Sequence, residues 1–127
     1  MESGIETVNW LAVIAGTVVA YGLGMLWFSP RMFGTGWAAG NRDLQVPSSP
    51  PMSAAIVQLI GVFLLALVVG ITATTDALIT AILAILAAAT LVAGLGLFAQ
   101  KNGYAVKVES GYIVVAGILM IAAQAIL

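Results

Sequence analysis

The chain contains no cysteine and no histidine. Without thiols there are no disulfides, no thiolate nucleophiles and no cysteine-held clusters, and without imidazole the commonest general base and the commonest zinc or haem ligand are missing. Charge is almost as scarce, at 7% of 127 residues, where a soluble domain carries about 25%. Four Lys and Arg stand against five Asp and Glu for a net charge of −1, so there is no basic face for a nucleic-acid backbone. Ser29 has no His partner and the few carboxylates are scattered, so no nucleophile with an adjacent base can be assembled. The expectation is a protein that is not an enzyme, with no catalytic, cofactor-binding or metal-binding residue and no nucleic-acid partner.

What the chain has instead is apolar length. Hydrophobic residues make up 62% of it, against roughly 45–50% in soluble domains. Four stretches, at about 8–28, 54–75, 77–99 and 108–127, approach the roughly twenty residues of helix that a bilayer core about 30 Å thick requires. The expected fold is all-α: a single integral membrane domain over 1–127, a bundle of four transmembrane helices built from helical hairpins, with membrane lipids around it. The first stretch is flanked by Glu2 and Glu6 with no cation, unlike a signal peptide, so it is expected to remain in the mature protein.

The polar connection 29–53 collects Pro30, Arg31, Gly34, Gly36, Gly40, Asn41, Arg42, Asp43, Pro47, Pro50 and Pro51. Ser53 stands where the N-cap of the second span belongs. The link 72–76 is too short to cross anything, and Thr75 or Asp76 is expected to cap the third span. Lys101, Asn102 and Gly103 close that span with a cation and a stopping glycine. Arg31, Arg42, Lys101 and Lys107 all fall in the first and third connections, which an even number of spans puts on one side. The positive-inside rule makes that side cytoplasmic and both termini non-cytoplasmic. Gly22-Leu23-Gly24 and Gly94-Leu95-Gly96 end the first and third spans alike, either an internal repeat or chance in a chain rich in Gly and Leu.

Lipid supplies no hydrophobic push between helices, so small residues that allow close approach mark the packing faces. These are Gly16, Ala20 and Gly24 in the first span, Ala66 and Gly70 in the second, and Thr80, Ala84 and Ala88 in the third. They serve packing within the bundle or an oligomer interface. Trp10, Trp27, Phe28, Phe33 and Trp37 read as an aromatic belt at headgroup level, with Phe33 and Trp37 alternatively in a short helix flat on the membrane surface. Glu109, about one turn into the fourth span and three residues before Tyr112, is the one ionisable group placed near the bilayer core. It is either an interfacial partner of Lys107 or, with Tyr112, Gln58 and Gln124, part of a polar site.

The run Asn9-Trp10, then Trp27-Phe28-Ser29-Pro30, then Phe33-Gly34 and Trp37 resembles the bacterial membrane family catalogued as domain-of-unknown-function family 1761. That resemblance implies about four spans in a bacterial cytoplasmic membrane and leaves the activity open. Phe28 stands where the family motif carries Tyr, so no role of that hydroxyl carries over. Small multidrug exporters need a carboxylate in mid-helix one, where this chain has Gly16, Thr17 and Val18. Fluoride channels place Asn and Phe inside their spans, whereas Asn9 and Asn102 lie at span ends here. The expected function is a small accessory or scaffold subunit packing against itself or a larger inner-membrane complex; the alternative is a homo-oligomeric small-solute channel or transporter.

Overall fold

A computed structural model of the chain describes residues 7–41 and 52–127. Arg42, Asp43, Pro47, Pro50 and Pro51, like Glu2 and Glu6, lie outside them. Among the described residues there are five helices and no strand: α1 (Trp10–Trp27), α2 (Gly34–Gly40), α3 (Met52–Ala73), α4 (Leu78–Phe98) and α5 (Gly103–Ile126). All except the short α2 are long and apolar enough to cross a membrane. They are apolar around most of their circumference, as a helix surrounded by lipid requires. The protein is an all-α, multi-pass membrane protein.

The C-termini of α1 and α4 and the N-termini of α3 and α5 share one end, here called the cation-bearing end because Arg31, Lys101 and Lys107 lie there. α5 is the most enclosed span and packs on α1, α2, α3 and α4, whereas α4 is the least enclosed. The small residues of α1 do form its packing face. A Cβ added to Gly16 would lie 3.5 Å from Met120 and Gly24 lies beneath the Tyr112 ring, while Ala20 is fully buried. Ala66 and Gly70 are buried too, with Val13 and Gln124 against Gly70. These faces are used inside the bundle. On α4 the buried stripe is Ala81, Ile85 and Ala89, one position beyond the one expected. Ala84 and Ala88 are half-buried at its flank and Thr80 points outward, because Ile85 is the residue that seats on Gly117 of α5.

The span ends differ from the sequence expectation in three places. α5 begins at Gly103, capped by Asn102, whose side chain accepts from the Ala105 amide at 2.9 Å. Gly103 therefore starts a helix and does not stop one. α4 ends in a Schellman turn: Gln100 takes a left-handed φ of 64°, its amide donates to Leu97 O, and the Lys101 amide donates to Gly96 O. The α3–α4 link repeats the device. Asp76 has φ 54°, its amide donates to Ala73 O, and the Ala77 amide donates to Thr72 O. Neither Thr75 nor Asp76 caps α4, whose flanking residue Ala77 offers no side-chain bond. Ser53 lies within the first turn of α3, which is helical from Met52, so it does not flank that helix.

Because a left-handed backbone is strained for a residue with a Cβ and free for glycine, Asp76→Gly should stabilise the protein by about 0.5–1 kcal/mol. Thermal unfolding in detergent measures it. A lower melting temperature would show that the Asp76 side chain makes a contact that outweighs the strain.

Candidate functional site

The polar and aromatic side chains concentrate at the cation-bearing end, in the corner where α1 turns into α2 and meets α5. The corner is built by backbone bonds. After Trp27 the chain loops out through Pro30 and Arg31 and returns, the Phe33 amide donating to Trp27 O at 3.1 Å and the Gly34 amide to Ser29 O at 2.8 Å. The Ser29 hydroxyl donates to Leu26 O at 2.6 Å. A Cβ on Gly34 would lie 2.2 Å from Phe28 O, so the turn can close only on glycine. Asn9 at the far end of α1 accepts from the Ala12 amide at 3.1 Å and is the helix N-cap. The motif residues are thus the start, the end and the corner of one helix.

α2 then docks on the first turns of α5 through a four-residue glycine spacing. Added Cβ atoms would meet Tyr104 Cε2 at 2.5 Å from Gly36, and Asn102 Oδ1 at 2.3 Å from Gly40. The Asn102 amide donates to Gly40 O at 3.1 Å, so one asparagine caps α5 and holds the end of α2.

The aromatic side chains face into this corner. Trp27 packs against Phe33 with ring centres 4.7 Å apart, and Phe28 stands edge-on to Trp37 at 5.2 Å and to Tyr112 at 5.7 Å. The Trp27 indole donates to Val108 O at 2.8 Å, tying α1 to α5. Of the expected belt only Trp10 is substantially exposed, at 42%; the other four are drawn inward because the corner folds them together. Phe28 contributes ring packing, which needs no hydroxyl.

Glu109 sits seven residues into α5, and its cationic partner is not the expected Lys107. Its carboxylate accepts from the Trp37 indole at 2.8 Å and forms a salt bridge with Lys101, while Lys107 is exposed. With side chains 25% and 13% exposed, Lys101 and Glu109 are an enclosed pair that joins α2 to the α4–α5 turn. Tyr112 is 2% exposed and its hydroxyl donates to Ala20 O at 2.7 Å. The Gln58 side chain of α3 lies beside the same hydroxyl. Gln124 is elsewhere. Twelve residues beyond Tyr112 on α5, it is about 18 Å further along the axis, against Gly70. The four candidate polar residues therefore form three separate associations, one of which brings Tyr112 and Gln58 together.

The Lys101–Glu109 pair was not readable from spacing, since eight residues and a Schellman turn separate the partners. The signals for α2 are the four-residue spacing of Phe33 and Trp37, which gives a short helix after the first span, and the glycine spacing at Gly36 and Gly40. Glu109→Gln keeps an acceptor for Trp37 but leaves Lys101 half-enclosed without its counter-charge. Between the small value of an exposed pair and the 3–5 kcal/mol of a fully buried one, the expected loss is about 1–2 kcal/mol. It should appear as a lowered melting temperature and altered Trp fluorescence; unchanged values for both would contradict the pairing.

No curated protein and no solved structure matches the chain. The model of the family described as Protein of unknown function (DUF1761) matches residues 11–124, from the second residue of α1 to the last turns of α5. The chain belongs to the DUF1761 family.

Proposed function

We propose that the protein is a non-enzymatic subunit of a bacterial inner membrane, with the cation-bearing connections in the cytoplasm and both termini outside, working by packing against itself or a larger membrane complex. The observation that supports this is where its polar groups go. Tyr112, Trp27 and Tyr21 donate to backbone carbonyls of neighbouring helices, Tyr21 to Ala55 O at 3.1 Å, and Thr17 donates to Val13 O within α1. The Tyr112, Trp27 and Tyr21 bonds each fix one helix on another, which is the work of a scaffold. α4 presents outward apolar surface to whatever lies beside it.

The channel or transporter reading requires Glu109, Tyr112, Gln58 and Gln124 to border one path. The meeting of Gln58 with Tyr112 favours it, and the separation of Gln124 and the engagement of Glu109 by Lys101 and Trp37 weigh against it.

Extraction in mild detergent followed by native mass spectrometry tests the subunit reading. A larger partner in fixed stoichiometry, or a defined homo-oligomer without solute flux, is the expected result. A monomer with no associate would defeat it. For orientation, a cysteine at Thr75 should react with a reagent confined to the non-cytoplasmic side and one at Arg31 should not; the reverse pattern would invert the topology.

A further inference from the structure

The pairing of Lys101 with Glu109 changes what the cation-bearing end offers to its surroundings. It is the one salt bridge among the described residues, and Glu109 is the one described carboxylate at this end. Arg31 and Lys107 are exposed, and neither has an ionic partner among the described residues. Both belong to segments that meet where α1 joins α5. Arg31 is held at the tip of the loop that the Phe33 amide closes on Trp27 O, and Lys107 directly precedes Val108, whose carbonyl accepts from Trp27. Beside them Met32 and Tyr104 are 41% and 46% exposed. Cations bordered by an apolar side chain and an amphipathic ring are the composition of a headgroup boundary.

We propose that Arg31 and Lys107 form a contact site for anionic phospholipid headgroups at the cation-bearing end of the α1–α5 seam. Charge complementarity selects the occupant: two unpaired cations at headgroup depth gain by meeting lipid phosphates with net negative charge, and gain less beside zwitterionic lipid. Met32 and Tyr104 lie against the first carbons below those phosphates. This goes beyond the subunit reading and holds whichever partner that subunit has.

The test reconstitutes the full chain in phosphatidylcholine vesicles containing spin-labelled phosphatidylglycerol or spin-labelled phosphatidylcholine, and measures the fraction of each label immobilised at the protein. The wild type should favour the anionic label by about threefold or more at low salt, and the preference should collapse near 1 M salt, where the screening length falls to about 3 Å. In R31Q/K107Q the preference should fall by half or more with the melting temperature unchanged in phosphatidylcholine, and R31E/K107E should reverse it. Asp76→Asn, at the opposite end, should leave it unaltered. Equal immobilisation of both labels by the wild type, a preference that survives 1 M salt, or one that persists in R31Q/K107Q would overturn the proposal.

Discussion

Gly34→Ala should be among the most damaging single-atom additions possible in this chain. Its new Cβ would lie 2.2 Å from Phe28 O, 2.6 Å from the Ser29 carbonyl carbon and 2.7 Å from Phe28 C, all backbone atoms of the same tight turn. A flexible side chain could swing away, but here the turn itself would have to open, breaking the Gly34 amide bond to Ser29 O and the Phe33 amide bond to Trp27 O. Overpacking in ordinary cores costs about 1–3 kcal/mol, and a clash with fixed backbone belongs at or above the top of that range. The variant should express poorly or melt far below the wild type, and its Trp emission should shift to the red as Trp27 and Trp37 lose their packing. By contrast, Gly22→Ala, where an added Cβ meets nothing within 4 Å, should gain slightly through helix propensity. Equal melting temperatures for the two alanine variants would contradict the corner.

Tyr112 should divide the contributions of ring and hydroxyl. Removing the ring in Tyr112→Ala leaves a cavity between Phe28, Trp27 and Gly24 and should cost about 3–5 kcal/mol, the usual range for a large aromatic deletion in a core. Removing only the hydroxyl in Tyr112→Phe forfeits the bond to Ala20 O, and interhelical hydrogen bonds in membranes contribute about 0.6 kcal/mol on average and at most about 1.7. Thermal unfolding of both variants in one detergent gives the ratio. A Phe variant as unstable as the Ala variant would mean that the hydroxyl, and not the ring, holds the helices.

The large features were legible because a bilayer imposes them. Span number and approximate limits follow from apolar length alone, and the packing faces of α1 and α3 follow from Gly16, Ala20, Gly24, Ala66 and Gly70, since close approach in lipid requires small side chains. What could not be read depends on three-dimensional closure. Asp76 and Gln100 adopt left-handed backbone that composition assigns to glycine, so Asp76 reads as a cap and Gly103 as the glycine that closes the third span, whose end near residue 99 is nevertheless legible. Reading Gly103 that way puts the start of α5 near residue 108 and hides how far into the helix Glu109 stands. Gly36 and Gly40 read as helix breakers, and only the spacing of Phe33 and Trp37 points to a short helix there, because seven residues are too few to show a period. Trp27, Phe28, Phe33 and Trp37 read as a belt because sequence carries no sign of the turn that points them inward.

The central claim is that the polar groups of the spans hold helices together and do not border a path for solute. It is tested most directly by measuring proton and monovalent-cation flux in proteoliposomes of the wild type, Glu109→Gln and Tyr112→Phe, with the melting temperature of each preparation alongside. The account predicts flux no greater than in protein-free vesicles for all three, with melting temperatures lowered in both variants. A wild-type flux that Glu109→Gln abolishes while its melting temperature stays unchanged would contradict it.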